Sequence, residues 1–487
     1  MTLERSPIRD VWAQAWPTAL TMTSYTLMQF IDSLMVAELG TMEVAAQGNG
    51  SIWQFTLVSF LLGILAMVNT FVSQNVGAGR PHDAAQYAWA GLWFSAISWV
   101  LLLVPFAFVL PVLFRFFGHE AELVVLETSY ARVLLFGGFI MLASKSMSNF
   151  FFGIGRPRVI VCAAILGNIV NLLLNFVLIY GERGLPALNI PGIPGTPALG
   201  VTGAAIATVL GTAAELAIPL VIFLGPAMHA RFRTRIDWQF RWRPVRDLLR
   251  VGWPNGLSFC NEIVCWAIFM SVLVGLFGTL HLAAGWIVLR YMHMSFMPAV
   301  GFSMAATSLV GRYIGAGRPD VAAQRARVAV VMALVYMTVC GLLMWWFREP
   351  LVALFTHGEN TTPETAAEII RIGSVMMICA AIFQTFDAIG IVYSGALRGA
   401  GDTTVPGVAT VVLSWTVIVG GGWLLATRVP EWTSLGPWIA AAAYVIILGV
   451  FMGGRFEGGR WRSIKLLRGT DDSRHELSSP TPDSGGA

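Results

Sequence analysis

Long apolar runs, one after another along the whole chain, decide what this sequence can fold into. Val408 to Ala426 contains no charged residue, and neither does Leu101 to Leu113. A helix crossing the hydrocarbon core of a bilayer needs roughly 20 mostly apolar residues. Inside lipid every backbone N–H and C=O must find a partner within the protein, which leaves helices or a closed barrel. Barrel strands alternate in polarity over roughly ten positions, and these runs do not alternate. The expected fold is an all-α polytopic membrane protein. Twelve spans are predicted near residues 11–39, 47–73, 88–113, 123–148, 158–180, 199–224, 247–277, 282–311, 322–347, 365–396, 404–427 and 434–454.

Composition supports this. Only 12% of the 487 residues are charged, against roughly 25% in soluble proteins. The five cysteines, Cys162, Cys260, Cys265, Cys340 and Cys379, all lie in apolar runs. They lack metal-ligand spacing and read as small buried hydrophobes.

Of the 31 Lys and Arg residues, 24 fall at the termini or in the even-numbered loops, and only Arg115, Arg183, Arg348 and Arg428 in the odd ones. Arg132, Arg290 and Arg371 fall within spans. The positive-inside rule then places both termini in the cytoplasm. The 24 include Lys145, Arg156 and Arg158, assigned to one loop, and seven arginines from Arg231 to Arg250. That arginine-rich linker is expected to lie on anionic headgroups. Basic residues so distributed account for the net charge of +4 without a nucleic-acid partner. The opening MTLERSPIRD has no small-residue cleavage site, so no removable signal peptide is expected. The tail after Arg468 is polar, rich in Ser, Pro and Gly, and expected to be disordered.

The chain also repeats itself. Trp16-Pro17 recurs as Trp253-Pro254, Gly40-Thr41 with Ala45-Ala46 as Gly278-Thr279 with Ala283-Ala284, and Gly77-Ala78-Gly79-Arg80-Pro81 as Gly315-Ala316-Gly317-Arg318-Pro319, at offsets of 237, 238 and 238. Each half therefore has six spans and both halves have the same orientation. The expected organisation is a cytoplasmic N-terminus (1–10), an N-terminal six-helix lobe (11–225), a basic linker (226–246), a C-terminal six-helix lobe (247–455) and a cytoplasmic tail (456–487). Two parallel-repeat bundles suit a central cleft open alternately to either side, as in secondary transporters.

A carboxylate at the bilayer centre costs at least ~2.5 kcal/mol, so one found there marks a cavity or a partner. Asp32, Glu262 and Asp387 are the candidates for ion or proton coupling. The competing reading of each is packing through hydrogen bonds alone. Burial raises a carboxylate pKa and a bound cation lowers it, so one such group can exchange a proton, a sodium ion or an organic cation. Pro17 and Pro254 are candidate helix bends. Asn171 and Asn175 share a helix face one turn apart and are accessory candidates, with Asn168 nearby. Arg290 is either a counter-ion or a snorkelling helix-end group. Glu215 reads as a packing residue.

At these residues the chain resembles the multidrug and toxic compound extrusion (MATE) family. The likeness covers roughly residues 10–455 and rests on Phe30-Ile31-Asp32-Ser33, the paired GAGRP loops, Gly153 to Pro157, Pro197 to Ala205, and Asp387 through Tyr393 to Thr403. It implies twelve helices in two lobes and cation-coupled efflux of organic cations and amphipathic compounds. Asp32, Glu262 and Asp387 match the NorM-type pattern. The DinF-type pattern has an Asp where Asn175 stands, which favours the NorM-type arrangement and leaves sodium against proton open. The chain is expected to be a monomer in a bacterial inner membrane, with a small-molecule cargo and membrane lipid as its partners and no cofactor. The alternative is a flippase for lipids or lipid-linked precursors. An ATP-driven pump is disfavoured because neither lysine sits in a Gly-Lys-Ser/Thr motif. An enzyme is disfavoured because there is no HExxH and the seven histidines are scattered.

Overall fold

The computed structural model describes residues 6–184, 192–236, 238–356 and 362–467, and among them there is no β-strand. The first lobe comprises α1 (Pro7–Ala37), α2 (Thr41–Gly77), α3 (Pro81–Phe116), α4 (Ala121–Phe136 and Gly138–Gly153), α5 (Pro157–Arg183) and α6 (Gly200–Leu224). The second comprises α7 (Trp242–Phe277), α8 (Thr279–Gly315), α9 (Pro319–Trp346), α10 (Pro363–Ala400), α11 (Thr404–Arg428) and α12 (Leu435–Glu457). Ten are long and apolar enough to cross a membrane, and α4 adds another despite a 47° bend at the Gly137-Gly138 pair. The remaining helix, α1, has the length but is more polar. It buries Gln14, Thr18, Thr21 and Asp32, so its polar side chains turn into the protein and not towards lipid.

The repeat extends to backbone geometry. Gly79 and Gly317 adopt φ of 73° and 71°, a left-handed conformation that glycine reaches without a side-chain clash. Each is followed by an arginine and then by a proline that opens the next helix. The first lobe repeats the device at Gly155 (φ 72°), Arg156 and Pro157.

The lobes meet through α1 on α8, α7 on α2, and α2 on α8. This pattern maps onto itself when α1 is exchanged for α7 and α2 for α8, as two repeats around one axis require. Glycines set the approach: a Cβ on Gly63 would lie 2.5 Å from the Cα of Gly256. Among the described residues, the hydrogen bonds between lobes cluster towards the end of the bundle that carries the termini. Ser308 Oγ donates to Asn69 Oδ1 (2.9 Å), Gln74 Nε2 to Gly399 O (2.9 Å), and Tyr313 OH to Asp10 Oδ2 (2.7 Å). Arg325 Nε also reaches Asp10 Oδ2, at 3.1 Å. These contacts hold the two lobes together at the terminal end.

Lys145 departs from its expected loop position. It lies within α4, with its ammonium against Tyr25 and Glu215. Between the lobes, Trp89 and Trp93 of α3 donate to the carbonyls of Thr234 and Trp238, which holds the linker along that helix. After α12, Trp461 is buried in the second lobe and Leu466 packs against the core of the first. The polar tail expected to be disordered, from residue 468 onwards, lies outside the described residues.

Candidate functional site

The candidate acids fall into two groups, one per lobe. In the first lobe α1 turns Asp32 inward, where it is 7% exposed. Asn175 Nδ2 of α5 donates to Asp32 Oδ1 at 2.5 Å and also lies 3.1 Å from Asn171 Oδ1. Thr208 of α6 lies beside the carboxylate, its hydroxyl donating to the Ala204 carbonyl at 2.9 Å. Small residues make this convergence feasible: a Cβ on Gly211 would lie 2.7 Å from the Asn171 Cβ, so α5 and α6 pack nearly backbone to backbone. Directly after Asn175 the helix widens into a π-helical turn, Phe176–Tyr180, a distortion frequent at functional sites. Asn168 Nδ2 donates to the Ser24 carbonyl at 3.0 Å and ties α5 to α1 about two turns below the Asn175–Asp32 bond.

Asn175 Oδ1 and Asn171 Nδ2 are buried without a partner. A buried polar atom left unpaired is expensive. Around Asp32 the carboxylate, amide and hydroxyl oxygens form a hard-oxygen set suited to a small cation.

In the second lobe Tyr444 OH of α12 donates to Glu262 Oε1 of α7 at 3.3 Å. Asp387 of α10 is close enough to feel the charge of Glu262, and Tyr444 feels both. One residue before Glu262, Asn261 is clamped by Ser414 (2.7 Å) and by Trp415 Nε1 (2.7 Å) from α11. One turn before Asp387, the buried Gln384 donates to Ser295 while its Oε1 has no partner. This lobe therefore also offers a carboxylate pair, a phenol and an unpaired amide oxygen.

Arg290 does not join either group. It is exposed, 5.6 Å over the ring of Phe355, and meets no carboxylate among the described residues. The helices run through Pro17 and Pro254 without a break. Thr21 and Ser258 donate to the carbonyls of those prolines at 3.0 Å and 2.8 Å. Among the described residues no group of three His, Cys, Asp or Glu could hold a metal ion.

Sequence reasoning missed Thr208 and Tyr444, which carry no motif. The repeat held a signal, however: Leu199-Gly200 recurs as Leu435-Gly436, and that offset of 236 places Tyr444 at the counterpart of Thr208.

The MatE family model matches residues 17–177 and 254–422, one segment in each lobe. The chain is 30% identical over 450 residues to the multidrug resistance protein NorM of Burkholderia vietnamiensis, covering 92% of this chain and 93% of that protein. It is 29% identical to the probable multidrug resistance protein NorM of Pseudomonas putida, covering 93% and 94%. Among solved structures, a MOP superfamily transporter from Pyrococcus furiosus superposes with a TM-score of 0.82 at 22% identity, over 94% of this chain and 97% of that one. An outward-facing multidrug resistance MATE family transporter superposes with a TM-score of 0.81 at 22% identity, over 94% and 97%.

Proposed function

Because the chain belongs to the MatE family, we propose that it is a NorM-type secondary efflux transporter that exchanges sodium ions or protons for organic cations and amphipathic compounds by alternating access. The observation that carries this reading is the buried Asp32 carboxylate, with Asn171, Asn175 and Thr208 around it and an amide oxygen left unpaired. A proton or a metal cation satisfies that group, and holding one disfavours the other. The pair of Glu262 and Asp387 serves the same exchange in the second lobe.

Coupling follows from where α1 sits. It carries Asp32 and packs on α8 across the lobe interface. An ion that draws α5 and α6 onto Asp32 changes the position of α1, and with it the closure at the terminal end. In the proposed orientation both termini are cytoplasmic in a bacterial inner membrane, so the cleft opens outward and cargo leaves there. The transporter works as a monomer without a cofactor.

The test is efflux from proteoliposomes loaded with a fluorescent organic cation, under a sodium gradient or a pH gradient applied singly. Movement under either gradient, lost in Asp32→Asn, supports the proposal. No movement under either gradient removes organic-cation efflux and favours a lipid substrate.

A further inference from the structure

Outside the two acid groups, the first lobe holds a third cluster of titratable side chains. Glu215 of α6 is buried, and three donors converge on its Oε1: Tyr25 OH at 2.5 Å, Ser144 Oγ at 3.1 Å and Lys145 Nζ at 3.4 Å. Among the described residues Oε2 accepts no hydrogen bond. Lys145 Nζ also lies 3.6 Å from the centroid of the Tyr25 ring. An ammonium on an aromatic face beside a carboxylate is how proteins recognise alkylammonium ligands.

The repeat places this cluster in a telling position. At the offset of 237 that relates Pro17 to Pro254, Tyr25 is the counterpart of Glu262. Both lobes therefore join their first and sixth helices by a Tyr–Glu hydrogen bond, with the two roles exchanged. The second lobe places a second acid, Asp387, beside its pair, whereas the first lobe supplies its own ammonium.

We propose that Tyr25, Ser144 and Glu215 form a subsite for the ammonium group of an organic cation, and that Lys145 occupies it while no cargo is bound. The inference rests on the organic-cation reading above and names the group that cargo must carry. The two charges are unequally held: 27% of the Lys145 side chain is exposed against 8% of Glu215. The lysine is the member able to leave, on a flexible four-carbon stem, while the carboxylate stays. An incoming ammonium replaces one cation by another on Tyr25 and Glu215, and Lys145 swings out on its exposed side. A permanently buried ion pair gives little net stability, so packing alone is a weak reason for these residues.

The chain has two lysines, Lys145 and Lys465, so the wild-type protein reports on itself. Amine acetylation followed by mass spectrometry is read at Lys145 relative to Lys465, with and without tetraethylammonium. The ratio is expected to rise on adding the cation. An unchanged or falling ratio overturns displacement. In equilibrium binding of the same probe, Lys145→Gln should lower the apparent Kd about tenfold if the lysine fills the site about nine-tenths of the time. Tyr25→Leu should raise it about two- to fivefold through loss of the aromatic face. If Lys145→Gln is stably folded and binds no more tightly than wild type, the self-occupied subsite is wrong. If the wild type neither binds nor moves organic cations, the functional reading fails first and this one with it. Gradient-driven efflux by the wild type with unchanged Lys145 labelling refutes the subsite alone.

Discussion

Asn175 and Asp32, on different helices and 143 positions apart, are joined by a 2.5 Å hydrogen bond in the buried heart of the first lobe. The bond fixes the carboxylate against α5, so the charge of Asp32 and the position of α1 are linked. Asp32→Asn preserves shape and removes the charge. Gradient-driven efflux should fall to background while the purified protein keeps its elution volume and melting temperature within a few degrees. Asn175→Ala removes one hydrogen bond to a charged group, worth about 1.5 kcal/mol or more. Apparent affinity for the coupling ion should drop about tenfold, measured as the ion concentration for half-maximal efflux. Unchanged ion dependence in both variants would remove this group from coupling.

The second lobe makes a separable prediction. Glu262→Gln and Asp387→Asn should each impair ion-coupled efflux, because each removes half of a carboxylate pair. Tyr444→Phe keeps the ring and loses only the hydroxyl, which donates at 3.3 Å. A typical single hydrogen bond is worth about 0.5–1.5 kcal/mol, so a reduction of about two- to tenfold in initial efflux rate is expected. Full activity in Glu262→Gln together with Asp387→Asn would confine coupling to Asp32.

The closed terminal end supplies a third. Asp10 of α1 accepts from both Tyr313 of α8 and Arg325 of α9, a contact between lobes that must part if the cleft is to open at that end. Asp10→Asn weakens it by about 1–3 kcal/mol, which shifts the population towards opening there. Spin labels placed on the 77–81 and 315–319 turns should report a longer mean distance in the variant. An identical distance distribution would show that other contacts alone keep that end shut.

How much of this was readable from the residues follows from what kind of signal each feature leaves. Apolar runs and the repeated GAGRP turn are local, so helix number, order and pseudo-symmetry were legible. Asp32 and the Asn171–Asn175 face were each visible as polar residues in apolar helices. Their juxtaposition was not, because it depends on how α1 packs on α5, which periodicity does not encode. Thr208 and Tyr444 are single polar residues among small or apolar ones and stand out only once the lobes are superposed. A lone charge in an apolar run reads as a helix end, which puts Lys145 in the nearest loop. Its real position depends on Glu215 from α6, and Glu215 taken alone reads as a packing residue.

The lobe interface itself can be tested at Gly63. This residue lies where α2 crosses α7, and a Cβ there would sit 2.5 Å from the Cα of Gly256 and 2.9 Å from the carbonyl oxygen of Asn255. Those neighbours are backbone and cannot swing aside as a side chain would. The Asn255 amide also donates to the Gly63 carbonyl at 2.6 Å, so any separation of the helices strains that bond. Gly63→Ala should therefore disfavour the arrangement closed at the terminal end by about 1–3 kcal/mol, the usual penalty for overpacking a tight contact. Gly48, on the same helix, has open space where its Cβ would go and serves as the control. Gly48→Ala should leave melting temperature and efflux near wild type, while Gly63→Ala lowers the melting temperature by several degrees and slows efflux. Equal behaviour of the two variants would mean that α2 and α7 do not stay in this contact during the cycle.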